Sequence, residues 1–312
     1  MPRRPYFELA VAHHLPRRQP ASAGVRSRRG EFWLAIACLL LACATSAEAA
    51  SPNQATSSRA ARDEAIRSIP YEKIAPEMTE KIRSAMAHAS IYRRLPIQVT
   101  DCDPDLYLFL VRHPEVVVNI WEVMKISNVA LSRTGADTFR ASDGAGTLCD
   151  VKFCYGDHDT HVFYAEGSYD GPLFNRPVQA KCVLVLKSGY MRETDGRYHV
   201  TSRMDTFIQI DHAGVELLAK TLQLLVHRSA DYNFVETAGF LGTVSRTAEA
   251  NPSGMCRLAE KLTNVEPDVR DRFSELSVQV GKKARERDAI QASAAAPAPP
   301  LSNDKRVAPR RR

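Results

Sequence analysis

The run GVELLAKTLQLLVHRSADYNFVETAGFLGTVSRTAEA, Gly214 to Ala250, decides the fold. Val215, Leu218, Leu222, Leu225 and Val226 recur at helical spacing and mark one apolar face. Lys220, Gln223, His227 and Arg228 fall mostly off that stripe. A helix this long needs a large partner surface, because propensity alone rarely holds one. The second half differs from the first. It carries Glu236, and Gly239 and Gly242 weaken the helix there. Asn233 falls near the stripe of Leu222 and Val226, so it is placed to meet whatever the helix covers.

The partner surface lies immediately upstream. From Lys125 to Asp211 the apolar period shortens and Gly/Asp clusters punctuate the chain. Strands are predicted over 126–133, 138–141, 147–155, 160–168, 178–187 and 197–210, which is the pattern of an antiparallel meander. Alternation assigns the faces. Cys149, Val151, Phe153 and Tyr155 share one side of their strand. Ala180, Cys182, Leu184 and Leu186 share one side of theirs, as do Val200, Ser202, Met204, Thr206, Ile208 and Ile210 on the last. The opposite sides carry Asp150, Lys152, Lys181, Lys187, Arg203 and Asp205. This predicts one buried concave face, covered by the long helix, and one wet face. On that phase Arg203 and Asp205 form a surface pair; with the phase reversed they would be polar groups of a pocket.

Ahead of the meander, residues 60–69 and 76–92 read as short leader helices, with Pro76 in the first turn of the second. Leu95 to Thr100 alternates like a strand. Residues 104–113 and 114–124 form two short helices or one helix broken at Pro114. After the long helix, 255–262 and 267–290 are helical, and the Ala/Pro-rich, basic stretch from Ala292 has the composition of a disordered tail. The expected layout is a leader at 1–50, leader helices at 51–93, the main domain at 94–250, a helical extension at 251–290 and a tail at 291–312.

Composition narrows the partners. The net charge of +6 arises at the ends, from seven arginines before residue 30 and from Lys305, Arg306, Arg310, Arg311 and Arg312. The middle is nearer balance, which argues against a broad nucleic-acid footprint. The basic tail offers a contact for anionic membrane surfaces, although short charge runs are usually just solvated. The run FWLAIACLLLACA, Phe32 to Ala44, is too short for a comfortable membrane span. Ala47-Glu48-Ala49 follows with small-x-small spacing, so a secretory signal cut near Ala49 or Ala50 is expected. Leu40-Leu41-Ala42-Cys43 also resembles a loose lipobox, which would make Cys43 a lipidated N-terminus; an uncleaved anchor is the third option. Five cysteines follow the signal, at no zinc or redox spacing, and are read as small buried hydrophobes.

The order of strand, short helices, about six antiparallel strands and long helix resembles the helix-grip fold. So do His113-Pro114-Glu115 and Trp121-Glu122-Val123-Met124. That is the START and polyketide-cyclase-like superfamily, which includes the Bet v 1 type. The resemblance covers residues 95–250 and implies an α+β architecture with a curved sheet around the last helix. It also implies a cavity for an apolar or lipid-like small molecule. On the phase above, Val151, Phe153, Tyr155, Leu184, Met204 and Ile208 would line it, Ser202, Thr206 or Asn233 would orient the ligand, and Leu106 to Trp121 would act as a lid.

Chemistry is sparse. Tyr155-Gly-Asp157-His158-Asp159-Thr-His161 has metal-binding residue types, but a hairpin turn favours the same residues and no distant third ligand stands out. Asp101-Cys-Asp103-Pro-Asp105 lacks the glycine and glutamate of a calcium loop and reads as a helix cap. No nucleophile elbow, metalloprotease, phosphate-loop or dinucleotide motif is present, and no cofactor or metal is expected. The leading expectation is an exported, non-enzymatic binding module. The alternatives are a cyclase- or hydrolase-type enzyme using the same cavity, or an envelope protein with a filled core.

Overall fold

The computed structural model describes residues 54–171, 176–211 and 219–295, with the side chains of 219–225 and 295 left aside. The apolar run at 32–44, the expected cleavage point, Cys43 and the basic tail lie outside the described residues. So do Val215 and Leu218, and the side chains of Leu222 and Leu225. No described helix is long and apolar enough to cross a membrane.

Proline and short polar caps punctuate the chain. Helix α1 (Arg59–Arg67) is capped by Ser58, whose hydroxyl accepts from the Ala61 amide. Helix α2 (Pro76–Ala87) opens on proline, which needs no amide partner there. Strands β1 (Ile91–Arg94) and β2 (Gln98–Asp101) follow. Next, α3 (Pro104–Arg112) is capped by Asp103, and Pro114 ends it and opens α4 (Pro114–Met124). Lys125 closes α4 in the left-handed conformation, with φ of 57°.

The meander comprises β3 (Ala130–Gly135), β4 (Thr138–Ser142), β5 (Thr147–Gly156), β6 (Thr160–Tyr169), β7 (Val178–Arg192) and β8 (Tyr198–Asp211). Its strands pair antiparallel in chain order, and β1 and β2 both pair with β8, completing an eight-stranded antiparallel sheet. Three helices end the described chain: α5 (Ala219–Ala250), α6 (Pro252–Ala259) and α7 (Pro267–Ala295). The molecule is therefore α+β, with a long helix after the sheet.

The second half of α5 is fastened along one side of the sheet. Arg93 of β1 donates from Nε to Asp231 at 3.1 Å, and the Asp103 amide donates to Ser245 Oγ at 3.0 Å. Gly242 lets helix and strand approach closely, since a Cβ there would lie 2.7 Å from Thr100 Cγ2.

Two cores result. One joins α3 and α4 with the second half of α5, α6 and α7, through Leu106, Ile120, Leu241, Met255, Leu262 and Phe273. The C-terminal helices are thus part of the main body. The other lies on the opposite face of the sheet, where α1 and α2 bury Ala65, Ile82 and Met86 against Val162, Val183, Val185 and Phe207.

This second core corrects the expected wet face. The rims of that face stay solvated, where Arg140 pairs with Asp150 on β4–β5 and Lys181 with Asp211 on β7–β8. Under the leader helices Asp205 is fully buried, accepting from Tyr92 Oη at 2.7 Å and Arg94 Nε at 2.8 Å. Glu64 of α1 bridges Arg94 at 2.9 Å and Arg203 at 3.0 Å. Arg203 and Asp205 are therefore neither a surface pair nor pocket residues. Lys187, also expected in water, donates to the Ser68 carbonyl at the end of α1.

Candidate functional site

The inner face of the sheet bears a cavity of about 280 Å³. Every meander strand contributes: Leu131, Phe139, Val151, Phe163, Leu184, Leu186, Ser202 and Met204 form the sheet wall. Tyr107, Leu110 and Val111 of α3 and Pro114, Val117, Val118 and Trp121 of α4 form a second wall. Phe234, Thr237, Ala238 and Leu241, from the second half of α5, form the third. The register explains the convergence. Val151 pairs with Phe139, Phe163 with Leu184, and Leu186 with Met204, so alternate residues of successive strands reach the same face.

Among the described residues the lining holds no charged side chain. Among those residues its polar side-chain groups are the hydroxyls of Tyr107, Ser202 and Thr237 and the Trp121 indole N–H, and almost all of the exposed lining surface is apolar. Tyr107 Oη lies 2.8 Å from Ser202 Oγ and 2.9 Å from Ser188 Oγ, all three buried. Burial raises the Tyr107 pKa, opposed by the two serine contacts, so the phenol stays protonated.

Of the residues expected to touch a ligand, Val151, Leu184, Ser202 and Met204 lie on this wall. Phe153 shares their face but stands outside the lining, its ring 5.1 Å from Phe163. Thr206 and Ile208 continue the Met204 face along β8 beyond the cavity. Asn233 turns toward Ser229 within the helix, while its neighbour Phe234 takes the wall position. Tyr155 is a correction. A β-bulge between Phe153 and Tyr155 shifts the pairing by one residue and flips Tyr155 to the outer face, against the leader-helix core. Its hydroxyl donates to Asp157 at 2.6 Å and receives Lys73 at 3.4 Å.

The wall residues not expected to touch a ligand include the aromatic ones, Tyr107, Trp121, Phe139, Phe163 and Phe234, alongside aliphatic residues of α3, α4 and α5. Phe163 was detectable, because a hairpin partner of the inward Phe153 must itself face inward.

The polar turn splits its two histidines. His158 is exposed and sits 2.5 Å from Asp159. His161 is fully buried on the inner face opposite the wall residue Leu186, and neither ring nitrogen has a partner. Burial, aided by the Arg112 charge, lowers its pKa to about 4, so it is neutral near neutrality. No cluster of metal-ligating side chains occurs among the described residues. In the other acidic stretch, Asp103 caps α3 through the Asp105 and Leu106 amides, and Asp103 and Asp105 both accept from Lys283 at 2.8 Å. The described cysteines are free thiols. Cys149 and Cys182 stand on strands separated by β6, and burial pushes the Cys182 thiol up to about 12.

A buried lock holds the α3–α4 corner that forms one cavity wall. Glu115 is 1% exposed and accepts from Arg133 Nε at 2.9 Å, beside His113 Nδ1 at 3.2 Å. Burial would raise the Glu115 pKa, but the bonds from His113 and Arg133 outweigh it and hold the carboxyl below its ordinary value. The Arg133 guanidinium also lies 4.5 Å over the ring of the wall residue Phe139.

No family model and no curated protein matches this chain. Among solved structures it is similar to the Mll3558 protein from Rhizobium loti, at 14% identity over 45% of this chain and 97% of that one. The TM-score is 0.26, too low to carry an argument about fold or function.

Proposed function

We propose that this protein binds a small apolar molecule between its sheet, the α3–α4 pair and the second half of α5, in the manner of a helix-grip binding module. The element order and the pairing of the first strands with the last strand support the helix-grip reading. The observation that carries the binding reading is the cavity itself. The space is a half-open cleft of about 280 Å³ whose lining is almost wholly aromatic and aliphatic, and concave apolar surface of that kind is where small-molecule sites occur. It sits just under the ~300 Å³ at which pockets for drug-sized ligands begin. The ligand is therefore compact, or a short segment of a longer molecule.

The enzyme alternative draws on His161, a neutral imidazole on the inner face. It gains little else, because among the described residues the cavity wall presents neither imidazole nor carboxylate. Work outside the cytoplasm is proposed on the Phe32–Ala44 run and the small residues after it; N-terminal sequencing of the mature chain tests this.

Native mass spectrometry of the protein purified from its own source tests the binding reading. The expected result is a mass above that of the polypeptide, lost on denaturation and absent in Ala238→Phe. A bare polypeptide mass that stays bare after incubation with small apolar compounds would overturn it.

A further inference from the structure

We infer that acid opens the cleft: when His161 takes up a proton, the last turn of α3 comes away from the β5–β6 hairpin and one wall of the cleft loosens with it. The opening needs no ligand. Its use as a gate for an apolar guest rests on the binding reading above.

His161 is fully buried, and neither ring nitrogen has a partner. A neutral imidazole has one donor and one acceptor, and leaving both unmade in a dry site is unfavourable. The sheet closes around the ring. Phe153 lies beside it, with ring centroids 6.0 Å apart, and a Cβ on Gly156 would stand 3.0 Å from His161 Cδ2. Leu186 pairs with His161 across β6 and β7. Moving any of these breaks the ladder of the eight-stranded sheet. The element that can yield is α3. Its Val111 lines the cleft together with Phe163 and Leu186, the inner-face neighbours of His161, and Arg112 Nη2 donates to the Asp157 carbonyl at 3.3 Å.

Helix α3 is fastened unevenly. Its first half is tied by the Asp103 cap and by Tyr107, whose hydroxyl meets Ser188 and Ser202 at 2.9 Å and 2.8 Å. Its last turn has the Arg112–Asp157 bond and a 3.5 Å bond from Arg133 Nη2 to the Arg112 carbonyl, both longer and both exposed.

Among the described residues, the charges near His161 come from α3 and from the hairpin turn. Burial is the largest cause keeping the ring neutral, and the Arg112 charge comes next; His158 adds to them, while Asp157 and Asp159 act the other way. Phe153, Gly156 and Leu186 bring no charge. A protonated ring in the closed form would sit unpaired in a dry site near a like charge, a costly arrangement. Lifting the α3 turn admits water and moves Arg112 away. His161 has a pKa of about 4 in the closed form against 6.5 in water. As pH falls from about 7.5 to about 5, the open form gains a proton that the closed form refuses, so the opening constant rises roughly 25-fold.

Amide hydrogen exchange of the full chain at those two pH values, corrected for the intrinsic pH dependence of exchange, reads that constant. Protection at Leu110, Val111, Arg112 and His113 should fall roughly 25-fold on acidification. At the lower pH these amides should also be less protected than those of Val183 and Val185, which marks a local opening. His161→Leu should remove the acid sensitivity of the α3 turn. His161→Gln, polar but uncharged at any pH, should do the same and serves if the leucine variant fails to fold. Unchanged protection in the α3 turn, protection equal to that of Val183 and Val185 at the lower pH, or the same loss in the variants would overturn the inference and leave the binding reading standing. A bare mass in the native measurement above would overturn the binding reading and leave this opening standing.

Discussion

The two faces of the sheet are built from the same strands and are filled in opposite ways. On the outer face, Val162, Val183, Val185 and Phe207 pack against α1 and α2, and the charges among them are engaged: Asp205 takes Tyr92 and Arg94, and Glu64 joins Arg94 to Arg203. On the inner face the same alternation supplies aromatic and aliphatic residues, yet a 280 Å³ space remains and His161 keeps both nitrogens unpartnered. The contrast teaches that this sequence closes the part of a face on which helices lie flat, as under α1 and α2. On the inner side Arg93–Asp231 ties α5 to β1 and Glu115–Arg133 ties the α3–α4 corner to β3.

The largest expected effect breaks the sealed face. Asp205→Ala leaves Arg94 buried with only Glu64 and the Ala61 carbonyl to answer it. Removing one partner of a buried pair costs about 3–5 kcal/mol. Urea denaturation should show that loss, with the midpoint falling sharply. An unchanged midpoint would mean that the leader helices are not held by this network.

The next effect belongs to the inner face and depends on pH. His161 has a folded pKa of about 4 against 6.5 when free. Above 6.5 it is neutral in both states. As pH falls from 6.5 toward 4 the unfolded chain gains a proton that the folded chain refuses, so stability declines through that window. The full decline is on the order of 3 kcal/mol. Glu64, lowered first by its bond from Arg94, and Glu115 act in the same direction below their ordinary value of 4.5. His161→Leu should flatten the dependence between pH 6.5 and 5, measured as urea midpoints at each pH. An equal slope in wild type and variant would refute the buried neutral imidazole.

A matched pair of enlargements compares the faces directly. Val183→Phe adds volume to the packed outer core, where overpacking costs about 1–3 kcal/mol. Ala238→Phe adds volume at the cavity wall and should be tolerated with a smaller loss or none. Similar losses from both would mean that the inner face is as full as the outer one. The smallest effect lies at the solvated strip of the outer face. Arg140→Gln removes an exposed pair with Asp150 and should leave the thermal midpoint unchanged.

Much of this architecture was legible in residues 95–250. Pro104 and Pro114 mark the two short helices, and the Gly/Asp turns mark the meander. Period-two alternation placed Val151, Leu184, Ser202 and Met204 on one face, and all four reach the cavity wall. The outer core was hidden because Lys181, Lys187, Arg203 and Asp205 alternate there with Val183, Val185 and Phe207. Charges on a strand face read as solvent until helices from far upstream cover them. The flip of Tyr155 was hidden because a bulge adds one residue without any composition signal. The hydroxyl chain was hidden because Tyr107 meets serines 81 and 95 residues away. The volume of the cavity depends on how far helices stand from strands, which no local pattern encodes.

The central claim is that the inner face admits a ligand and the outer face does not. Methyl-resolved NMR during titration with propylbenzene measures this most directly. Saturable shifts are predicted at Leu110, Leu131, Leu184, Leu186, Met204 and Leu241, with Val183 and Val185 silent. Shifts that never saturate, or that appear equally at Val183 and Val185, would contradict it.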